Sequence, residues 1–199
     1  MKGTLVIVLC FVAGIGVSYF LSIPEWSYSS GFQTAVLALL LFLVGVGIGS
    51  EDGLSTIFSN LSPTILLLPF LIIIGSLLGG FLATFFISNI SSREGVAIAS
   101  GMGYYSLSSI LLSKLSGEQV GAMALIANLF REVSTILLFP IIAKAFGRFG
   151  GIASGGATSM DTTLPLIVRY SGKEMAVVAI YTGLVITMLV PLLISVIMS

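Results

Sequence analysis

The sequence predicts an all-α integral membrane protein, with about five transmembrane helices and two re-entrant or broken-helix segments in an inverted repeat. Three observations support this fold class. Of the 199 residues, 57% are hydrophobic and only 8% are charged, whereas a soluble domain has about 25% charged residues. Several apolar stretches have the length of a bilayer crossing. The string Ile-Ala-Ser-Gly occurs twice, at residues 98–101 and 152–155.

The composition also argues against several classes of function. Eight basic and eight acidic residues cancel, so the charge balance favours neither nucleic acid nor an acidic surface as a partner. The sequence contains no histidine, which removes most metal sites and every histidine-based nucleophile. Cys10 is the sole cysteine, so no intrachain disulfide can form. We therefore predict no metal, no cofactor and no enzymatic activity.

The first 90 residues contain three predicted spans, at residues 4–21, 31–49 and 63–88. Each approaches or exceeds the roughly 20 apolar residues that a bilayer crossing needs. The first is too long for a typical signal peptide and has no small-residue cleavage site after it, so we interpret it as a retained span. Glycines recur in the second and third spans and favour close helix packing. We assign residues 1–90 to a three-helix scaffold part.

Residues 91–199 form the predicted transport part, with two repeats at 95–146 and 150–198. Each repeat begins with a patch rich in glycine, serine and threonine, and each ends with a long apolar segment that carries one proline. Such a patch does not favour a continuous helix, and irregular backbone survives in a bilayer only where protein buries it or water lines it. We therefore expect both patches to line a solute pathway at membrane depth.

Each patch is either a broken helix that spans the membrane or a re-entrant hairpin of two half-helices. A half-helix of about ten residues rises roughly 15 Å, which is half of an apolar layer of roughly 30 Å. Spanning patches divide the basic residues almost evenly between the two sides. Hairpins obey the positive-inside rule, because they place Arg93 and Lys114 outside and the following residues inside: Lys2, Lys144, Arg148, Arg169 and Lys173. We favour hairpins, and the broken spanning helix remains the alternative.

Three charged residues, Arg131, Glu132 and Asp161, lie within these segments, where a charge costs at least about 2.5–3.5 kcal/mol. In a structural interpretation, Arg131 pairs with an acid and joins helices. In a functional interpretation, Glu132 and Asp161 bind a cationic group or a coupling ion, and Arg131 holds them or binds a carboxylate. Asn128 lies on roughly the same helix face as Arg131. The remaining candidate binding residues come from the patches: Ser100, Gly101, Tyr104, Tyr105, Ser106, Ser109, Ser154, Gly155, Thr158, Thr162 and Thr163.

Three strings in the sequence resemble those of a known family. Residues 99–109 (Ala-Ser-Gly-Met-Gly-Tyr-Tyr-Ser-Leu-Ser-Ser), Arg131-Glu132 and residues 155–165 (Gly-Gly-Ala-Thr-Ser-Met-Asp-Thr-Thr-Leu-Pro) are similar to the bacterial lysine exporter family LysO. The resemblance implies a multi-pass carrier of the bacterial inner membrane that exports L-lysine and lysine analogues, driven by an ion gradient. It also implies that the matching positions lie in the transport region. The coupling ion, a proton or sodium, stays open.

Lysine also suits the residues themselves, since Glu132 and Asp161 can meet its ammonium groups and Arg131 or a half-helix N-terminus its carboxylate. Typical members of the family carry further N-terminal spans, so we expect a separate small membrane subunit, a homo-oligomer, or both to complete the carrier. Two alternatives remain: a carrier of another small amino or organic acid, and a non-transporting membrane subunit of a split transporter. An intramembrane protease is disfavoured, because the sequence offers no histidine base and the first repeat has no match for Asp161.

Overall fold

The structure, a computed structural model, describes residues 63–87 and 89–199, with eight single positions between Ala13 and Val46. The chain divides into two units, Met1–Ser50 and Glu51–Ser199, and all the elements described below belong to the second. They are α1 (Pro63–Ala83), α2 (Ser92–Ala99), α3 (Tyr105–Ser116), α4 (Glu118–Gly155), α5 (Leu164–Ser171) and α6 (Met175–Met198), with 3₁₀ turns at Thr84–Phe86 and Gly156–Met160. These described elements include no strand, as the all-α prediction requires.

The predicted spans at residues 4–21 and 31–49 lie outside the continuously described residues. The division into parts at residues 1–90 and 91–199 therefore stays a prediction. Within the described ranges, three helical segments are long and apolar enough to cross a bilayer: Ile65–Phe86, Glu118–Met160 and Met175–Met198. Large apolar side chains such as Leu71 and Phe85 are exposed on the first of them. Such a surface suits lipid rather than water, so the chain is a multi-pass membrane protein.

Helix α4 consists of two helices joined at a sharp turn. Gly147 has φ 71° and ψ −167°, far from helical values, so residues 148–155 reverse direction and run back along residues 118–146. Two contacts show the reversal. A Cβ at Gly151 would collide with the Phe139 ring, and the Thr135 hydroxyl donates to the Ser154 carbonyl at 3.1 Å. Residues 118–146 rise about 43 Å, which is enough to cross the apolar layer.

Helices α2 and α3 form the first hairpin, residues 92–116. Its two ends meet, because the Ser116 hydroxyl donates to Glu94 Oε1 at 2.8 Å across 22 positions of sequence. A segment that crossed an apolar layer of roughly 30 Å would hold these ends far apart. Helix α3 then packs along the start of α4, where Gly121 leaves room for Ser113. The first patch is therefore a hairpin that returns to its own side.

Residues 148–171 form the second hairpin, which consists of the end of α4, a tip and α5. At its ends, Arg148 Nη1 and Glu174 Oε1 form an ion pair at 3.0 Å. Near the end of α5, the Tyr170 ring packs 5.8 Å from the ring of Phe139, centroid to centroid. The second patch also returns to its own side. Since residues 118–146 cross the membrane between the hairpins, the two hairpins enter from opposite sides, as an inverted repeat requires.

The last helix, α6, lies at the centre of the described unit and packs against α1 and both hairpins. The Tyr181 hydroxyl of α6 donates to the Leu66 carbonyl of α1 at 3.1 Å. Arg93 at the start of α2 donates through Nε to the Ile197 carbonyl at the end of α6. Helix α6 thus packs against both hairpins on one side of their contact.

Candidate functional site

The two hairpins meet at their tips, residues 100–104 (the first tip) and 156–163 (the second tip). The Ala157 amide donates to the Met102 carbonyl at 2.9 Å. Gly156 has φ 63° and ψ −122°, and a Cβ there would collide with the same carbonyl oxygen. The closest approach of the tips therefore requires glycine. The patches that resemble each other in sequence are thus in direct contact.

The depth of this contact follows from the helix beside it. Asn128 binds the first tip, since its Oδ1 accepts from the Gly103 amide at 2.9 Å. Eleven residues separate Asn128 from Gly117, where the first hairpin ends and α4 begins. That separation is a rise of about 16 Å, roughly half of the apolar layer. The tips therefore meet near the middle of the membrane.

Asn128 bridges the two half-helices of the first hairpin. Besides accepting from Gly103, its Nδ2 donates to the Ile98 carbonyl at 2.9 Å and to the Ala124 carbonyl at 3.0 Å. The side chain is buried, with 3% exposure. The carboxamide thus satisfies backbone groups that the break in the helix leaves unpaired.

Arg131 lies one turn further along α4 and binds backbone carbonyls of the second hairpin in the same way. Its Nε donates to the Ser154 carbonyl at 3.0 Å and its Nη2 to the Ala153 carbonyl at 2.9 Å. These carbonyls end a half-helix, whose negative dipole end favours a cation. Its Nη1 donates to the Ser76 hydroxyl of α1 at 3.0 Å. No described acid lies within ion-pair distance of Arg131, so it joins these elements through neutral acceptors.

Four of the predicted hydroxyl residues bond to backbone carbonyls of their own tip or half-helix. The bonds are Ser100 to Ala97, Ser154 to Gly151, Thr158 to Gly155 and Thr163 to Thr158, at 2.7–3.1 Å. The O–H groups of these four side chains therefore already donate hydrogen bonds within the protein, although each hydroxyl oxygen can still accept one. Sequence reasoning missed Ser76, whose signal was a lone polar residue in the middle of an apolar helix.

The acidic candidates differ in exposure. Asp161 is exposed at the second tip, where its Oδ1 accepts from the amide and hydroxyl of Thr162. Glu132 is buried, with 1% exposure. The contact between the tips brings Asp161 of the second tip towards Tyr104 and Tyr105, which follow the first tip.

The N-terminus of α3 also lies at the first tip. Tyr104 is its N-cap residue and provides no side-chain hydrogen bond to the first turn. Uncapped amides of a first turn, together with the helix dipole, favour an anion. The meeting tips thus bring the Asp161 carboxylate and a positive helix end into one region. Among the described residues, no three acidic or sulfur side chains cluster as metal ligands.

A cavity of about 590 Å³ lies between α1, α2 and α4. Its lining is apolar except for a few groups, including Ser76, Asn128 and Arg131. The Asn128 and Arg131 donors already bind protein atoms, and the Ser76 hydroxyl accepts from Arg131. Such a lining does not suit a solute with charged groups. We therefore place the candidate site at Asp161 and α3 and not in this cavity.

The ends of the first hairpin lead to a pH-dependence prediction. Hydrogen bonds from the Ser91 hydroxyl and amide, and from the Ser116 hydroxyl, favour the charged carboxylate and lower the pKa of Glu94. A lowered folded-state pKa means that this stabilisation is present above about pH 4.5 and lost as the pH falls further. We expect Glu94→Gln to lower the melting temperature in detergent by about 2–4 °C at pH 7, and by less at pH 4. An equal fall in melting temperature at pH 7 and at pH 4 would contradict this role of the Glu94 charge.

The fold and the site define a helical, multi-pass membrane protein whose core is a pair of opposed hairpins. Comparison with known proteins gives its family. The chain belongs to the lysine exporter LysO family, whose family model matches residues 8–198, so its place is the bacterial inner membrane. The family is named for an exporter and not for an enzyme.

Two relatives show how far the similarity extends. The chain is 35% identical over 188 residues to the lysine exporter LysO of Escherichia coli K12, which covers 94% of this chain and 62% of that protein. It is 34% identical over 170 residues to a Haemophilus influenzae protein named "Putative lysine exporter", which covers 85% of this chain and 86% of that protein. The chain thus spans less than two thirds of the Escherichia coli relative. No solved structure matches it.

Proposed function

We propose that this chain is a secondary transporter that exports L-lysine and lysine analogues across the bacterial inner membrane. The observation that carries the proposal is the contact of two opposed hairpins near the middle of the membrane, beside the exposed carboxylate of Asp161. Paired broken segments from inverted repeats are a common substrate site in secondary transporters. The names of both relatives support lysine as the solute.

Asp161 is the residue that we expect to bind an ammonium group of lysine. A carboxylate exposed at this depth is costly in lipid, so its exposed face must meet water, a solute or another polar group. Its Oδ1 accepts from Thr162, which orients the carboxylate and leaves Oδ2 for a cation. The neighbouring phenols of Tyr104 and Tyr105 supply further polar contacts.

The N-terminus of α3 is the group that we expect to bind the carboxylate of lysine. Arg131 is the obvious alternative, but three of its nitrogens donate to Ser76, Ala153 and Ser154. The first turn of α3 has no side-chain cap, and half-helix N-termini bind substrate carboxylates in other transporters. In this assignment, the negative carboxylate of Asp161 binds an ammonium group of lysine, and the positive N-terminus of α3 binds the lysine carboxylate.

Glu132 is the candidate for ion coupling. It is buried next to Arg131 in sequence, and with no histidine in the chain a proton-coupled cycle would use Glu132 or Asp161. Sodium coupling would use the same carboxylates together with carbonyls of the tips. The dependence of export on an imposed pH or sodium gradient distinguishes the two.

The test is direct export of labelled lysine. We expect cells that express this chain, alone or with the membrane protein encoded beside it, to release preloaded lysine several-fold faster than cells with an empty vector. Export that needs the neighbour supports a two-subunit carrier, and cross-linking of tagged copies tests a homo-oligomer. Preferential release of glutamate would favour the second candidate, a carrier of other amino or organic acids. No release in either setting would support a non-transporting subunit.

A further inference from the structure

Both hairpin tips are bound to one short stretch of one helix. Asn128 binds the backbone just before the first tip, at Ile98, and within it, at Gly103. Arg131, three residues later, binds the end of the half-helix that enters the second tip, at Ala153 and Ser154. Thr135, one turn after Arg131, adds a hydrogen bond from its hydroxyl to the Ser154 carbonyl at 3.1 Å. This short stretch therefore sets the position of both tips.

The tips are also bound directly to each other. The Ala157 amide donates to the Met102 carbonyl at 2.9 Å, and a Cβ at Gly103 would lie 3.1 Å from the Gly155 carbonyl oxygen. In the apolar middle of the membrane, water does not replace a hydrogen bond that opens. Moving one tip away from the other would thus leave the Ala157 amide and the Met102 carbonyl unpaired and would open the close packing of Gly103 against Gly155.

Helix α1 is connected to the same stretch. Ser76 accepts from Arg131, and the α1–α2 contact is so close that a Cβ at Gly80 would collide with Ala99. Tyr181 of α6 binds the α1 backbone at Leu66. The hairpins, α1 and α4 are thus joined by hydrogen bonds and close packing.

We infer that Asn128 and Arg131 are positioning residues that fix both tips to α4, and that the tips stay joined throughout the transport cycle. Access to the site then alternates by movement of the joined hairpins as one body, and not by one tip opening as a lid. The inference rests on the proposed transport function, because it concerns how that site reaches each side.

A disulfide between the tips tests this directly. In a Cys10→Ser background, Met102→Cys and Ala157→Cys place thiols on residues whose backbones are hydrogen-bonded, a proximity compatible with a disulfide. We expect the pair to cross-link on mild oxidation, and the oxidised protein in proteoliposomes to retain at least half of the lysine transport rate of the reduced protein. Each single-cysteine variant, oxidised in the same way, is the matched control.

Two results would overturn the inference. One is a fall of tenfold or more in transport on cross-linking that a reductant restores, because the tips would then have to part. The other is a pair that never oxidises in a protein that still transports, because the tips would then not be neighbours. If neither the native protein nor the Cys10→Ser parent exports lysine, alone or with a second subunit, the proposed function fails, and thiol labelling of the first tip still decides the role of Asn128.

The second measurement probes the positioning role without transport. Ser100 in the first tip is fully buried, so a Ser100→Cys thiol should react slowly with a maleimide. We expect Asn128→Leu, which is apolar and similar in size, to raise that labelling rate at least fivefold in protein that still elutes as a folded species. The matched control is Thr182→Val, since Thr182 is buried on α6 and its hydroxyl has no hydrogen-bond partner among the described residues. An unchanged labelling rate in Asn128→Leu would refute its positioning role.

Discussion

Asp161→Asn is expected to lower the initial rate of lysine export by tenfold or more. Asparagine has nearly the same shape but no charge, so the site loses a charge-assisted hydrogen bond to the ammonium group, worth about 1.5–3 kcal/mol. A loss of 1.4 kcal/mol corresponds to a factor of ten. The measurement is uptake of labelled lysine into inside-out vesicles, with rates normalised to the amount of folded transporter.

The matched control for this change is Glu118→Gln. Glu118 is an exposed carboxylate at the start of α4, about 15 Å of helix away from the depth of the tips. The same chemical change there should leave the export rate within twofold. If Asp161→Asn transports as fast as Glu118→Gln, Asp161 does not bind the solute.

Gly156→Ala is expected to abolish export and to destabilise the folded protein. At φ 63° and ψ −122°, a residue with a Cβ costs on the order of 1–3 kcal/mol. In addition, the new methyl group would collide with the Met102 carbonyl and force the tips apart. Each kcal/mol lowers the melting temperature of a chain of this size by about 2–4 °C, which a thermal scan in detergent measures.

Gly117→Ala separates backbone strain from the contact between tips. Gly117 also has a positive φ, 97°, but a Cβ there meets nothing within 4 Å. Gly117→Ala should therefore destabilise the folded protein through backbone strain alone. It should reduce export much less than Gly156→Ala does. Equal losses from the two substitutions would show that the contact between the tips is not needed for export.

The all-α fold and the two hairpins could be predicted from the sequence because their signals are local. A low charge content, long apolar runs and two glycine-rich patches indicate spans and interruptions whatever the tertiary contacts are. The distribution of Lys144, Arg148, Arg169 and Lys173 against Arg93 and Lys114 distinguished hairpins from spanning segments. The contacts Glu94–Ser116 and Arg148–Glu174 agree with that choice.

The partners of Asn128 and Arg131 could not be predicted, because they are backbone carbonyls and amides. A broken helix creates such acceptors and donors at a place that depends on tertiary packing, and no residue type marks it in the sequence. Charge alone suggested that Arg131 pairs with an acid or with the solute. The structure shows that a half-helix end and a serine hydroxyl accept its hydrogen bonds instead.

The closed ends of the hairpins bear on how the chain enters the membrane during synthesis. A segment that begins and ends on one face never carries its flanking charges through lipid. Arg148 and Glu174, which pair at the ends of the second hairpin, can both remain on the ribosome side while the apolar segment between them folds inward. The insertion machinery then has to translocate only the loops that join true spans.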